Sequence, residues 1–228
     1  MEKFAANFIK CFIDNNRYML LLNGLRNTVI ITVLALILGV ILGFLVAMVR
    51  STHDKRGGWN LLNVICRVYL TVIRGTPTMI QLLIMCYVIL SSVNNNILIA
   101  VLAFGINSGA YIAEIVRSGI MSVDEGQYEA GRSLGLTYGT TMRKIIMPQA
   151  FKNVLPALGN EFITLLKETS VCGYIGLMDL TRGGDIIRSQ TYIAFMPLLL
   201  VAAIYLIMVL GLTAILNRVE ARLRNSDR

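Results

Sequence analysis

Charge is scarce in this chain: of 228 residues only 15% are Asp, Glu, Lys or Arg, where soluble domains carry about 25%. Histidine occurs once, at His53, and the four cysteines (Cys11, Cys66, Cys86, Cys172) show no C-x-x-C or H-x-x-x-H spacing. Neither a zinc site nor a disulfide framework is therefore expected. There is no G-x-x-x-x-G-K-[ST] phosphate loop and no acidic metal cluster, so the chain has no means of its own to hydrolyse a nucleotide. A Ser/His or paired-Asp constellation is also missing, which argues against an intramembrane enzyme. The sole histidine lies between charged neighbours, beside Asp54 and Lys55, and is expected to be solvated. What the chain has in abundance is apolar surface: 56% hydrophobic residues and a mean hydropathy of +0.68. These residues fall in long uncharged runs, as suits a chain whose solvent is a bilayer.

The runs predict an all-α membrane protein, a bundle of about five transmembrane helices. Asn27 to Val49 carries no charge between Arg26 and Arg50 and exceeds the ~30 Å hydrocarbon thickness at 1.5 Å per residue. It is too long for the apolar core of a cleaved signal peptide. Gly75 to Ala113 is also uncharged, but Ser91-Ser92-Val93-Asn94-Asn95-Asn96 interrupts it with turn formers, giving two spans, 75–90 and 97–113. A fourth span, 151–166, contains Pro156 and Glu161 and reads as a broken helix lining a cavity. The fifth lies at 193–216. Residues 1–26 read as an amphipathic surface segment and 218–228 as a tail, whose Arg218, Arg222 and Arg224 suit anionic headgroups. Small residues recur every fourth position in the first span (Ala35, Gly39, Gly43, Ala47) and the third (Gly105, Gly109, Ala113), which lets helix backbones approach closely.

The surplus of basic residues, 21 against 13 acidic, reports topology before it reports nucleic acid, because no soluble basic platform with aromatic stacking groups is visible. Segments 50–74, 117–152 and 218–228 carry fourteen Lys and Arg together, against seven in the N-terminal segment and 167–192. The expectation is a multi-pass protein with its N-terminus out and its C-terminus in the cytoplasm.

The loop 122–148 is too organised to be a connector. Ser122 and Glu125 have capping-box spacing, and Gly135 suits the left-handed position that ends a helix. About 12 residues, or ~18 Å, are predicted to be helical between them. Glu125, Glu129 and Arg132 share one face, with Val123, Ala130 and Leu134 turned elsewhere. So short an amphipathic helix must dock, either on a partner's groove or on the membrane ends of its own chain.

Ionisable groups at membrane depth mark candidate sites. On the fourth span Asn160, Glu161, Thr164, Lys167 and Glu168 fit an arc of about 120°. Asn160, Glu161 and Thr164 are candidates to contact a polar solute, with Gln81 and Asn107 from the second and third spans as weaker ones. The plain alternative is that Glu161 pairs with a basic neighbour to fold the bundle. Glu114, three residues before Arg117, reads as a structural ion pair, and Arg74 as a positive-inside anchor.

Several motifs in one order resemble a known family. Gln127-Tyr128-Glu129-Ala130-Gly131-Arg132-Ser133-Leu134-Gly135, followed by Pro148-Gln149-Ala150, resembles the EAA loop in permeases of ATP-binding-cassette importers. Arg74-Gly75-Thr76-Pro77, Ala110-Tyr111-Ile112-Ala113-Glu114-Ile115-Val116-Arg117, Leu155-Pro156-Ala157-Leu158-Gly159-Asn160-Glu161 and Lys167-Glu168-Thr169-Ser170 look like the polar amino acid branch, in register from Leu20 to Arg218. Gly131 stands where the general pattern often has alanine, and Val171-Cys172 replaces a Leu-containing stretch. The resemblance implies a permease subunit of an amino acid importer in a bacterial inner membrane. It implies a coupling helix, Gly126 to Leu136, seated in an ATPase subunit that holds the ATP and magnesium. A second permease copy or similar chain and an extracytoplasmic amino acid-binding protein would complete the assembly. No cofactor is expected in this chain. An ion-coupled secondary transporter or channel is the alternative, but neither needs an ATPase-docking helix.

Overall fold

The computed structural model describes residues 2–225, and among these no strand occurs. Residues 226–228 and the side chain of Arg224, part of the expected basic tail, lie outside the description, as does the side chain of Lys55. A short helix α1 (Glu2–Phe8) is followed by a π-helical turn over Ile9–Ile13 and a 3₁₀ turn over Asp14–Asn16. Helix α2 (Tyr18–Arg56) then runs unbroken for 39 residues, about 58 Å. It overruns the expected 27–49 stretch at both ends, so the expected N-terminal segment 1–26 is divided between the first turns and this helix.

Helix α5 (Asn96–Met121) is the centre of the bundle. Asn95 caps it by accepting from the Leu98 amide at 3.1 Å, which satisfies one of the free donors at its start. Buried Phe104, Ile112, Val116 and Ile120 make its packed side. The small-residue stripes meet here. A Cβ on Gly39 would lie 3.2 Å from the Gly109 amide nitrogen, one on Gly43 2.5 Å from Ile112 Cγ2, and one on Gly105 2.6 Å from Leu38 Cδ2. In lipid, where apolar burial drives little association, such close contact is what holds helices together.

The segment 50–74, expected to be a basic cytoplasmic segment, contains all but the last residue of a helix, α3 (Asn60–Gly75). Its apolar residues Leu61, Val64, Ile65, Val68 and Val72 face outward, while Asn63 and Leu70 are buried. This inside-out pattern suits lipid or a protein neighbour. At Gly75-Thr76-Pro77 the chain turns by 109° into α4 (Thr78–Ile84), extended by a π-helical turn over Met85–Ile89. Proline cannot continue the hydrogen-bond ladder and holds the preceding Thr76 extended, at φ −120° and ψ 147°.

The loop 122–148 forms α6 (Glu125–Ser133) and α7 (Tyr138–Thr141), joined through a π-helical turn over Met142–Ile146 to α8 (Met147–Glu168). Pro156 does not break α8, which is continuous. One missing amide is tolerated in a membrane helix when neighbouring turns and helices hold the rest. A 3₁₀ stretch, Thr169–Ile175, leads to α9 (Leu180–Thr191), capped by Asp179, whose carboxylate accepts from the Thr181 and Arg182 amides. Burial pushes the Asp179 carboxyl above its usual range, against the opposing pull of those hydrogen bonds. Helix α10 (Phe195–Asn225) begins two residues inside the expected last span, 193–216, and continues into the tail. By length and apolarity α2, α5 and α10 can each cross a bilayer, and the bent α3–α4 pair makes a fourth. Helix α8 fails that test because Lys152, Glu161, Lys167 and Glu168 dilute its apolarity.

Candidate functional site: a polar stripe in the bundle and an exposed loop helix

Helix α6 starts differently from the expectation. The cap is Asp124, whose Oδ1 accepts from the Gly126 amide at 2.7 Å. Ser122, the expected capping residue, instead donates to the Gly119 carbonyl and accepts from Asn153. An ionised carboxylate two residues nearer the helix is the better acceptor for its first amides. The other end is as expected: Gly135 has φ +78°, the Leu136 amide donates to Gly131 O and the Gly135 amide to Arg132 O. These two bonds satisfy carbonyls that would otherwise be unpaired.

The helix uses both of its faces. Gly131 is buried, and a Cβ there would come within 2.7 Å of Thr141 Cγ2. The departure from alanine is thus fitted to this chain's own packing and does not face a partner. Tyr128 meets Tyr138 edge-on at 5.7 Å between ring centroids, and Gln127 Oε1 accepts from Gln149 at 3.4 Å. On the open side stand Glu125, Gly126, Glu129, Ala130, Arg132 and Ser133, with Leu134 80% exposed.

Deeper in the bundle, the five solute-site candidates divide. Asn107 is 1% exposed, and its Nδ2 donates to Gln81 Oε1 at 2.9 Å. Gln81 Nε2 in turn donates to Ile73 O at 2.7 Å and Thr76 Oγ1 at 2.8 Å. Their amides clamp the α3–α4 bend onto α5. Glu161 is half-buried and accepts from Ser108 Oγ at 2.7 Å, and among the described residues no basic side chain pairs with it. Asn160 and Thr164 flank it, both exposed. Asn160, Glu161 and Thr164 therefore form a stripe on α8 with an ionisable group free of any countercharge, and Glu168 extends it one heptad further.

Glu114 has the opposite surroundings. Arg50 Nη1 lies 3.0 Å from its Oε1, Arg117 Nε 3.5 Å from its Oε2 and Arg74 Nη1 3.8 Å from its Oε1. Arg74 also stands over the Tyr111 ring at 5.6 Å. The expected Glu114–Arg117 pair is present, but the two further arginines come from α2 and α3 and were beyond the reach of local spacing. His53, expected to be solvated, has a side chain 25% exposed, 3.7 Å from Asp54.

Comparison with known proteins decides the family. The family described as binding-protein-dependent transport system inner membrane component matches residues 39–225. The chain belongs to it. This permease is 38% identical over 210 residues to the arginine transport system permease protein ArtQ of Bacillus subtilis, covering 91% of this chain and 94% of that one. It is 40% identical over 210 residues to the glutamine transport system permease protein GlnP of Escherichia coli K12, covering 90% and 93%. A solved amino acid ABC transporter, crystallised with histidines, has a chain that superposes with a TM-score of 0.83 at 43% identity, covering 92% of this permease and 98% of that chain. The MetNI methionine transporter in an inward-facing form shares the fold, with a TM-score of 0.78 at 19% identity. The chain is a multi-pass inner membrane permease subunit of a transport system.

Proposed function

We propose that the permease carries amino acids inward across the bacterial inner membrane, powered by separate ATPase subunits that hold the ATP and magnesium. Residues Gly126 to Gly135 form the coupling element, and the α8 stripe of Asn160, Glu161 and Thr164 contacts the solute, with Gln81 and Asn107 positioning the bend beside it. The N-terminus lies outside and the C-terminus in the cytoplasm. A second permease subunit completes the pathway, and an extracytoplasmic binding protein delivers the cargo. The observation that carries this reading is the open side of α6. Ala130 and Leu134 are exposed beside a ring of charge, on a helix closed at both ends by its own hydrogen bonds, as an insert into a partner's groove should be. The high identity to permeases of arginine and glutamine systems supports the cargo class.

The test is affinity purification in mild detergent from native membranes, comparing the wild type with Glu129→Arg and Leu134→Asp. A P-loop ATPase that co-purifies with the wild type and falls at least tenfold in both variants, with the permease still monodisperse, is the expected result. Equal recovery of the ATPase with all three would remove α6 from the coupling role.

A further inference from the structure

The arginine cluster around Glu114 has more positive charge than the fold uses. Arg50, Arg74 and Arg117 converge from three helices on Glu114, Arg117 also lies 3.4 Å from Asp54, and Arg67 lines the same recess as Glu114. Two positive charges are left without a countercharge. The exposed Arg67 side chain makes no hydrogen bond or ion pair among the described residues, and it lines a recess of about 470 Å³ with Arg50, Arg74, Leu70, Thr71 and Glu114. Arg50 Nε, in the same recess, is a buried donor with no hydrogen-bond acceptor among the described residues. Unpaired guanidinium donors around a cavity of this size call for an oxyanion, for which their planar fork is suited.

The surroundings say which kind. The recess lies beside the end of α5 that leads into the coupling loop: Glu114 is seven residues, about 10 Å, from Met121. Helix α3, which supplies Arg67 and Arg74, also presents Leu61, Val64, Ile65, Val68 and Val72 to the outside. Trp59, 59% exposed, stands at its start, as tryptophan does at a membrane interface. An arginine-lined recess on a helix with an outward apolar face and an interfacial tryptophan matches a headgroup phosphate joined to acyl chains.

We propose that this recess binds the phosphate of an anionic phospholipid of the cytoplasmic leaflet, with Arg67 and Arg74 as its principal contacts and the acyl chains lying along the apolar face of α3. The site is separate from the α8 stripe and from the α6 docking face, and it does not depend on which solute is carried.

Trp59 is the only tryptophan in the chain, so it reports directly. The full permease is reconstituted in phosphatidylcholine vesicles containing 10% brominated phosphatidylglycerol or 10% brominated phosphatidylcholine, and quenching of Trp59 is compared. Preferential binding gives at least twofold greater quenching by the anionic lipid, and native mass spectrometry of the detergent-purified chain shows a retained phosphatidylglycerol adduct. Arg67→Gln with Arg74→Gln should lower both by fivefold or more. Lys3→Gln with Lys10→Gln, which removes the same charge at the far end, should lower neither. If the arginine double variant does not fold, the wild-type lipid comparison alone decides. Equal quenching by the two lipids, or an adduct retained equally in both double variants, overturns the proposal. Loss of the quenching difference on adding millimolar inorganic phosphate, or millimolar free glutamine, would reassign the recess to a small anion or to the cargo carboxylate, and overturns it too.

Discussion

Glu114 and Glu161 stand on neighbouring helices of one bundle, both partly buried, and their partners could hardly differ more. Glu114 is ringed by Arg50, Arg74 and Arg117 within 4 Å, while Glu161 has only the Ser108 hydroxyl. A carboxylate so heavily compensated has no affinity left for a passing cation and serves to hold α2, α3 and α5 together. One held by a single hydroxyl keeps most of its potential for whatever cation enters. Countercharge, more than burial, separates the group that builds the bundle from the group available to a solute.

The sharpest way to break this comparison is to neutralise each carboxylate in turn. Glu114→Gln leaves three guanidinium groups facing one another without their shared anion. Removing one member of a buried pair costs about 3–5 kcal/mol. With side chains here from 15% to 43% exposed, solvent screening brings the expected loss down to about 2 kcal/mol. Thermal unfolding in detergent should show a clearly lowered midpoint, and an unchanged midpoint would mean that the arginines are held apart by packing alone. Glu161→Gln should leave that midpoint nearly in place, because glutamine still accepts from Ser108. Its effect belongs in transport: uptake of a cationic or polar amino acid into proteoliposomes should fall about tenfold, equivalent to about 1.4 kcal/mol. Uptake at the wild-type rate and affinity would remove Glu161 from the solute path.

The sequence made one half of this comparison legible and hid the other. Glu161 stood out because it interrupts an apolar run together with Asn160 and Thr164, and a helical arc is a local property. The end of α6 at Gly135 is legible for the same reason. The ring around Glu114 was not, because Arg50 and Arg74 lie 64 and 40 residues away in sequence and only the packed glycine seam between α2 and α5 brings the first of them close. Helix α3 is hidden in a stretch that reads as a basic cytoplasmic segment, although Leu61, Val64, Ile65, Val68 and Val72 carry a helical period. Its apolar side faces outward, the reverse of a soluble helix, so burial could not have been inferred from it. The Asp124 cap and the unbroken passage through Pro156 show the opposite error, in which a local motif was taken to decide what neighbouring contacts settled.

The clamp at the α3–α4 bend lies between these extremes and gives a smaller effect. Gln81→Leu keeps the volume but removes donors to Ile73 O and Thr76 Oγ1 and leaves the buried Asn107 amide without its acceptor. An unsatisfied buried polar group costs about 1–3 kcal/mol, and the partial exposure of Gln81 places the expected loss near the lower end. Uptake should fall with stability and recover when Asn107→Leu is added, since replacing both partners by apolar groups removes the orphaned donor. A double variant no better than Gln81→Leu would show that the amide pair touches solute directly.

The smallest effect expected sharpens the comparison most. Among the described residues Arg67 is the one member of the cluster with no partner, so Arg67→Gln removes repulsion without breaking a pair. In a protein free of anionic lipid, its unfolding midpoint should stay level or rise slightly, by the equivalent of at most about 0.5 kcal/mol. Glu114→Gln combined with Arg67→Gln should then recover part of the loss from Glu114→Gln alone, because the cluster regains some charge balance. The two changes are close enough to couple, and a double-mutant cycle measures that coupling. Strict additivity would mean that Arg67 does not sense the charge of Glu114, and that countercharge around Glu114 is limited to the three arginines in direct contact with it.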